Sequence, residues 1–170
     1  GYIRCFGYAT SHRIVIGMRN VILIAHNLRS THNVGSLLRT AEGLGVEKVY
    51  LSGYTPYPLA DKDSRLPHLA QKVHKQIKKT ALDAEVLVLW EHTENVLELI
   101  ATLKIDGYIV AAVEQTAGSV SLADYQPPEK IALLVGREVE GIEPEVIAAT
   151  DICLEIPMFG HKESFNVVQE

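Results

Sequence analysis

Six short apolar segments, separated by stretches with helical periodicity, constrain the fold of this chain more than any other feature of its sequence. They are nearly continuous in valine, isoleucine and leucine, a composition typical of strands that are buried on both faces of a sheet. The segments lie at residues 21–25, 48–52, 86–90, 108–113, 131–135 and 151–156. This alternation predicts an α/β fold with a mostly parallel sheet that is covered by helices on both faces.

The stretches between these segments carry the periodicity of amphipathic helices. We expect helices over residues 33–44, 67–79, 93–104 and 143–149, and a last one that begins near Ser164. Residues 53–63 and 116–130 are rich in proline, glycine, aspartate and serine, and we expect them to form loops.

The length and composition indicate one compact domain. The chain has 170 residues, of which 47% are hydrophobic, and this is enough to bury a core. Residues 1–17 precede the first strand pattern, and we expect a leader or an arm there, outside a core of residues 18–170. No apolar run in the sequence approaches the roughly 18 to 20 residues that a membrane-spanning helix requires.

The cysteines indicate the cellular compartment of the protein, and the net charge limits its possible binding partners. Cys5 and Cys153 have no metal-site spacing, and we expect two free thiols and no disulfide in a cytoplasmic protein. The formal net charge of −5 argues against indiscriminate binding of nucleic acid, which depends on excess positive charge. A local basic surface remains compatible with phosphate binding. One stripe of a predicted helix forms either such a surface or an ordinary solvated face, and it consists of Lys72, Lys75 and Lys79.

Residues 27–46, NLRSTHNVGSLLRTAEGLGV, contain more polar residues than an ordinary strand-to-helix turn requires. The predicted apolar stripe of this helix consists of Val34, Leu37, Leu38, Ala41 and Leu44. Arg39 falls on the opposite side. Gly35 lies on that outer face too, which suggests that another group approaches its backbone closely. In the simplest interpretation, Asn33 caps the helix and Arg39 is merely solvated.

Three motifs resemble, in order and position, those of the SpoU (TrmH-type) RNA ribose methyltransferases of the SPOUT superfamily. The first is residues 27–46. The second is LLVGREVEGIEPEVI at residues 133–147, with the pattern Gly-x-Glu-x-x-Gly-Ile. The third is IPMFGHKESFNV at residues 156–167. The middle stretch KKTALDAEVLVLWE is also similar to the family, so that the resemblance covers nearly everything after Met18.

The chain departs from the family pattern in three respects. The family usually has leucine where this chain has Phe165, and serine where it has Val168, so that packing and one hydrogen bond are expected to differ. The family pattern also continues with a further helix beyond the position of Glu170.

The resemblance implies a C-terminal trefoil knot, over about residues 110–170, that binds S-adenosylmethionine. It also implies transfer of the cofactor's methyl group to a ribose 2′-hydroxyl of structured RNA, tRNA ahead of rRNA, by a homodimer. Three loops at the carboxyl ends of strands would bind the cofactor, as in other parallel sheets. The residues expected to do so are Val113, Glu114, Gly136, Gly141, Ile156, Met158 and Phe165.

The resemblance assigns catalytic groups as well. Arg39 has the position of the group that activates the hydroxyl, either as a base or, more simply, as a cation that holds the target phosphate and lowers the pKa of the hydroxyl. The expected orienting partners are Asn33, Glu138, Ser164 and Asn166. The expected RNA contacts are Arg29, Lys72, Lys75 and Lys79, and we expect the asparagines of the first motif to help hold phosphate and ribose. Because sulfonium is a good leaving group, the reaction requires no metal, and the histidines show no convincing ligand spacing.

Two other functions are compatible with parts of the sequence. The first is a member of the same fold that binds RNA without catalysis, although the complete set of catalytic positions argues for retained activity. The second is a nucleotide-binding Rossmann domain, suggested by EGLGVEKVY. That stretch lacks the third glycine of the dinucleotide motif, and the chain has no Gly-x-x-x-x-Gly-Lys-Ser/Thr sequence.

Overall fold

The computed structural model describes residues 19–160 and 166–169. The expected N-terminal arm at residues 1–17 lies outside this range, and so do Ser164, Phe165 and the start of the last expected helix. The elements follow the order β1 (Asn20–His26), α1 (Thr31–Leu44), β2 (Lys48–Ser52), α2 (Pro67–Ala81), α3 (Ala84–Leu87), β3 (Trp90–Thr93), α4 (Val96–Ile105), β4 (Ile109–Val113), β5 (Val120–Ser121), β6 (Lys130–Val135), α5 (Pro144–Ala149) and β7 (Ile152–Glu155).

The strands form a seven-stranded sheet in the order β3-β2-β1-β6-β4-β7-β5. Every pairing between these described strands is parallel, which confirms the prediction of a mostly parallel sheet. At its centre, Leu23 of β1 pairs with Val49 of β2 and Leu133 of β6. Because the strands run in one direction, the loops that follow β1, β4, β6 and β7 emerge at the same edge.

Helices cover both faces of the sheet, as predicted. Ile24 and Ala25 are neighbours on β1, so their side chains point to opposite faces. Ala25 is buried with the core of α1, α2 and α3, which includes Leu38 and Ile77. Ile24 is buried with the core of α4 and α5, which includes Ile100.

The prediction of a strand at residues 86–90 is wrong. Leu82 and Asp83 adopt left-handed conformations, with φ of 50° and 72°, and the chain then forms the single helical turn α3. The strand β3 begins only at Trp90 and lies at the edge of the sheet. A short apolar run has no periodicity that distinguishes a helical turn from a strand. The predicted loop at residues 116–130 likewise contains the short strand β5, paired with β7.

Helix α1 begins earlier than predicted, and Asn33 is not its N-cap. The hydroxyl oxygen of Ser30 accepts a hydrogen bond from the backbone N–H of Asn33 at 3.1 Å, so Ser30 caps the helix. Gly45 ends the helix in a left-handed conformation, with φ of 69°. Leu44 in the last turn is 78% exposed and does not belong to the buried stripe, contrary to the prediction.

Gly35 is buried between α1 and α2 rather than on an outer face. A Cβ at this position would lie 2.1 Å from Thr80 Oγ1 and 2.3 Å from the backbone oxygen of Ile77. The expected close approach to the Gly35 backbone is therefore made by α2. This packing brings Arg39 of α1 and Lys79 of α2 to one groove between the helices.

Arg65 fixes the long loop between β2 and α2. It donates hydrogen bonds to the backbone oxygens of Tyr57 and Pro58, at 3.0 and 2.9 Å, and its guanidinium lies 3.6 Å from the centre of the Tyr57 ring. The ring of Tyr57 in turn stacks on His92 of β3. Hydrogen bonds from Arg65 also hold the pKa of Asp63 well below its usual range. The loop therefore forms a fixed wall beside the first motif.

Candidate active site

A cavity of about 580 Å³ opens at the carboxyl ends of β4, β6 and β7. This is the edge at which open parallel sheets bind their ligands. Six of the seven residues predicted to bind the cofactor line it, namely Val113, Glu114, Gly136, Gly141, Ile156 and Met158. The seventh, Phe165, lies outside the described residues. Three loops that are far apart in the sequence therefore meet at one site.

The turn between β6 and α5 forms one wall of the cavity and requires both of its glycines. A Cβ at Gly136 would lie 2.5 Å from Ile142 Cγ1, and Gly141 has a left-handed φ of 69°. The Glu114 carboxylate accepts a hydrogen bond from the Ile142 backbone N–H at 2.9 Å and would lie 2.5 Å from a Cβ at Gly141. Glu114 therefore fixes the turn in addition to lining the cavity.

Two carboxylates on this turn reach across to the first motif. Glu138 accepts a hydrogen bond from the side-chain amide of Asn33, and Glu140 accepts one from Arg29 Nη2 at 2.9 Å. A hydrogen bond with Tyr54, together with the nearby Glu140 carboxylate, raises the pKa of the Arg29 guanidinium above its usual value. Arg29, Asn33 and Glu138 were predicted from the sequence and meet at the cavity rim. Glu140 was not predicted, because its partner is remote in the sequence.

A polar cluster at the end of β1 was also missed by the sequence prediction. His26 is buried, with Nδ1 2.8 Å from Ser52 Oγ and Nε2 3.1 Å from Glu143 Oε2. Glu143 accepts a hydrogen bond from Asn27 Nδ2 at 2.8 Å and pairs with Arg137 at 3.2 Å. The cluster joins β1 to the start of α5 and so anchors the far end of the cavity wall.

Burial lowers the pKa of His26 below its usual value of 6.5, although the neighbouring Glu143 carboxylate opposes this shift in part. Burial would raise the pKa of Glu143, but hydrogen bonds from its own backbone and Asn27, with the charges of His26 and Arg137, leave it below its usual value. At neutral pH the cluster therefore combines a neutral imidazole with an ionised carboxylate.

Asn27 has a structural role in the protein, while its expected contact with RNA stays a prediction. Its φ is 56°, a left-handed conformation that asparagine adopts more readily than most residues. Its side-chain oxygen accepts a hydrogen bond from the Tyr54 backbone N–H at 3.1 Å, while its side-chain nitrogen donates to Glu143. A Cβ at Gly53 would lie 2.0 Å from that oxygen, so the turn after β2 depends on glycine there.

Arg39 lies on the exposed side of α1, as predicted, and lines a second cavity of about 500 Å³ between α1 and α2. The other residues that line this groove are Ser36, Thr40, Lys79, Thr80 and Leu82. Within the described part of the chain, no carboxylate pairs with Arg39 or Lys79, whereas Arg29, Arg65 and Arg137 each have one. Two cations and three hydroxyl groups thus face one open groove, a set that suits a phosphate.

The other described residues that were predicted from the sequence line neither cavity. Lys72 and Lys75 are exposed on α2 but do not line the groove. Asn166 is exposed, and its side-chain oxygen accepts a hydrogen bond from the Val168 backbone N–H at 3.0 Å. Val167 is buried in the core beneath α1, and Val168 packs against that core, so valine supplies apolar contact where the family usually has serine.

Three further findings concern metal binding, membrane-spanning helices and the cysteines. Within residues 19–160 and 166–169, no group of three or more histidine, cysteine, aspartate or glutamate side chains is arranged to hold a metal ion. No helix in the same ranges has the length and apolar character needed to cross a membrane. Cys153 is a free thiol on β7, and Cys5 lies outside the described residues.

Comparisons with known proteins agree with the motifs. The SpoU rRNA methylase family matches residues 20–169. The tRNA (guanosine(18)-2′-O)-methyltransferase TARBP1 of Mus musculus is 31% identical over 147 residues, which make up 86% of this chain and 8% of that protein. The tRNA (guanosine(18)-2′-O)-methyltransferase of Aquifex aeolicus is 25% identical over 150 residues, 88% of this chain and 64% of that protein. The chain thus spans less than two thirds of the length of these relatives.

Solved structures show the same architecture. The A. aeolicus TrmH/SpoU tRNA modifying enzyme has a TM-score of 0.66 at 25% identity, over 89% of this chain and 71% of that chain. A structure concerned with 2-OH methylation of C/U34 on tRNA has a TM-score of 0.71 at 25% identity, over 90% of both chains. AviRb from Streptomyces viridochromogenes, in complex with AdoMet, shares the fold at 18% identity, with a TM-score of 0.71 over 92% of this chain and 56% of that chain. From the match over residues 20–169, together with these structures, the chain belongs to the SpoU rRNA methylase family.

Proposed function

We propose that this chain is the catalytic domain of an S-adenosylmethionine-dependent methyltransferase that modifies a ribose 2′-hydroxyl of structured RNA, tRNA ahead of rRNA. The observation that carries the proposal is the cavity after β4, β6 and β7, whose wall is bonded through Asn33 and Glu138 to the helix that carries Arg39. The relatives in mouse and A. aeolicus, which are named for 2′-O-methylation of guanosine 18 in tRNA, support the same substrate class.

The cavity suits S-adenosylmethionine in polarity and charge. An apolar surface for the adenine is provided by Ile142, Ile147, Ile156 and Met158. The carboxylates in the lining belong to Glu114, Glu138, Glu140 and Glu155. They outnumber the Arg137 cation in the same lining and leave a net negative charge, which favours a ligand with a positive sulfonium and a positive amino group. When bound, the cofactor supplies an electrophilic methyl group, and the protein has to bring the ribose oxygen into line with it.

Arg39 holds the phosphate next to the reacting ribose and stabilises the negative charge that develops on the 2′-oxygen. A guanidinium has a pKa above about 12 and is a poor base in isolation. As a fixed cation close to the oxygen, however, it lowers the free energy of the charged transition state. The shared groove with Lys79, in which neither cation pairs with a carboxylate of the described residues, supports phosphate binding. Asn33, Glu138, Ser164 and Asn166 complete the proposed set of orienting groups.

The active protein is a homodimer in this proposal. Arg39 lines the groove between α1 and α2 and is not among the residues that line the proposed cofactor cavity of the same chain. A second copy that places its cofactor cavity against this groove would bring the arginine and the methyl group together. Sedimentation velocity tests the proposal, since a fully active monomer at micromolar concentration would remove it.

We also assign a trefoil knot to about residues 110–170. Its support is the path of the C-terminal segment. β7 pairs with β4 in the sheet, and Val167 then reaches the core on the side of α1, α2 and α3. The loops after β4, β6 and β7 that such a knot would draw together are the ones that surround the cavity.

The test of the proposed function combines cofactor binding with methyl transfer. Calorimetry with S-adenosylmethionine, and transfer of labelled methyl from it to unfractionated tRNA and to rRNA, are measured for the wild type, Gly136→Val and Gly43→Val. Gly136→Val should abolish both, because a side chain there enters the space of Ile142. Gly43→Val is the matched control, since a Cβ at Gly43 meets nothing within 4 Å and Gly43 does not line the cavity.

The outcomes separate the alternatives. Cofactor binding that survives Gly136→Val would place the cofactor elsewhere. A wild-type protein that binds tRNA but transfers no methyl group to tRNA or rRNA would instead be a non-catalytic RNA-binding member of the family.

A further inference from the structure

Arg29 and Glu140 form an exposed ion pair at the rim of the cavity. Arg29 Nη2 lies 2.9 Å from Glu140 Oε1, and the two side chains are 69% and 41% exposed. Among the described residues, the ion-paired arginines Arg65 and Arg137 have side chains that are only 21% and 20% exposed. Exposed pairs are weak because water and salt screen them. Of these three arginine pairs, Arg29–Glu140 is therefore the one that another anion replaces most easily.

We infer that Glu140 competes with an RNA phosphate for Arg29 and thereby sets how tightly the rim binds RNA. The inference rests on the proposed function, because it takes Arg29 as an RNA contact. Carboxylate and phosphate oxygens both accept hydrogen bonds from a guanidinium, so that a phosphate oxygen can take the place of Glu140 Oε1 on Arg29 Nη2. Glu140 and Tyr54 hold Arg29 in the free protein, and an RNA that brings a phosphate to the rim displaces the Glu140 carboxylate.

The position of Glu140 allows this exchange without loss of the cavity wall. Glu138, two residues earlier on the same turn, is bonded to Asn33, and the Ile142 backbone N–H is bonded to Glu114. These contacts remain when Glu140 releases Arg29. Glu140 also penalises RNA that lies on the rim without a phosphate at Arg29, because the carboxylate then repels neighbouring phosphates. The rim therefore favours an RNA whose backbone places a phosphate at Arg29.

The test compares Glu140→Gln with Glu145→Gln. The second change removes the same charge from an exposed residue of α5 that has no ion pair within the described residues. Filter binding measures the affinity for unfractionated tRNA, and calorimetry measures the affinity for S-adenosylmethionine. Both glutamate changes are made in the wild-type chain and in an Arg29→Gln background, so that a double-mutant cycle isolates the pair.

We expect Glu140→Gln to tighten tRNA binding by up to about fivefold, the range of an exposed ion pair. The gain should shrink at high salt, whereas S-adenosylmethionine should bind slightly more weakly, because Glu140 also lines the proposed cofactor cavity. Glu145→Gln should have a smaller effect, and Glu140→Gln should have none beyond that in the Arg29→Gln background. An unchanged tRNA affinity, a gain equal to that of Glu145→Gln, or a gain that persists without Arg29 would each overturn the inference.

Methyl transfer by the wild type, measured beside this cycle, distinguishes the inference from the proposed function. If the wild type binds S-adenosylmethionine and methylates tRNA while the cycle shows no coupling, only the competition between Glu140 and phosphate is wrong. If the wild type neither binds the cofactor nor transfers a methyl group, the proposed function itself is overturned.

Discussion

The side-chain amide of Asn33 on α1 donates a hydrogen bond to the carboxylate of Glu138 on the turn after β6. The two residues belong to the first and second motifs and are 105 positions apart. Their bond joins the helix that carries Arg39 to the wall of the proposed cofactor cavity. A change at this contact should therefore affect cofactor binding and stability together.

Asn33→Asp tests the contact with almost no change of shape. An aspartate in the first turn of a helix normally stabilises it by about 0.3–1 kcal/mol, because the helix dipole favours negative charge there. Here it would face the Glu138 carboxylate and lose a charge-assisted hydrogen bond worth about 1.5–3 kcal/mol. We expect a net loss of about 1–2 kcal/mol in the free energy of unfolding and weaker cofactor binding, measured by thermal denaturation and calorimetry. His32→Asp, on the exposed neighbour, is the control. A stabilising Asn33→Asp would show that Asn33 and Glu138 do not meet.

Gly35→Ala tests the close packing of α1 on α2. The new Cβ would come within 2.3 Å of the Ile77 backbone oxygen, and that oxygen cannot move without shifting the helix. Overpacking of this kind costs about 1–3 kcal/mol, which exceeds the gain in helix propensity. Gly43→Ala in the same helix meets nothing within 4 Å and should stabilise the protein by about 0.5–1 kcal/mol. Chemical denaturation measures both values, and equal effects of the two changes would contradict the packing.

The strands could be predicted from the sequence where the sheet is buried on both faces, as in β1, β4 and β6. The prediction failed at residues 86–90, where the apolar run begins in the helical turn α3 with exposed side chains and the edge strand β3 is polar. Periodicity also placed Leu44 and Gly35 on the wrong sides of α1. The helix ends beside Leu44, and Gly35 owes its burial to α2, which no pattern within α1 reports.

The residues of the candidate site that belong to a motif could be predicted from the sequence. The residues that owe their place in the site to tertiary contacts could not. The motifs identified the residues that line the cavity after β4, β6 and β7. They did not reveal Glu140 or Glu143, because a lone glutamate in a loop becomes informative only when its partner is known. The contacts of Asn27 could not be predicted either, since the motif did not indicate that Tyr54 and Glu143 hold its side chain within the protein.

The stability of the protein should fall on mild acidification because of His26. Its pKa is lowered in the folded state, so the unfolded chain binds more protons below about pH 6.5. The contribution of neutral His26 to the free energy of unfolding is therefore fully present above pH 6.5. It is lost as the pH falls towards the pKa of His26 in the folded state. The pKa of Glu143 is also lowered from its usual value of 4.5, so protonation of Glu143 reduces the stability as well, but only at still lower pH. Thermal midpoints between about pH 7.5 and pH 5 should thus decline in the wild type and much less in His26→Gln.

His32→Gln is the matched control for this prediction, because His32 is exposed on α1. It should leave the pH dependence of the thermal midpoint as it is in the wild type. Parallel curves for the wild type and His26→Gln would show that His26 does not titrate differently on folding.

Arg39→Ala should remove methyl transfer while leaving the fold and the cofactor affinity nearly unchanged. Arg39 is exposed, so its truncation should alter the free energy of unfolding by no more than about 0.5 kcal/mol. The loss of a fixed cation beside a developing oxyanion should lower kcat by about a hundred- to a thousandfold. Arg39→Lys keeps the charge but not the planar fork, and it should also lose most activity if the phosphate is held in a bidentate manner.

A change at Lys79 distinguishes RNA binding in the groove from catalysis by Arg39, which lines the same groove. Lys79→Ala should raise KM for RNA and reduce the salt dependence of RNA binding by about one phosphate contact, with kcat nearly unchanged. Lys62→Ala, on an exposed lysine of the loop before α2, is the control for total charge. Single-turnover methyl transfer, cofactor calorimetry and thermal midpoints on one RNA decide the matter. If Arg39→Ala turns over like the wild type, or loses activity only because it unfolds, Arg39 is not the residue that faces the reacting oxygen.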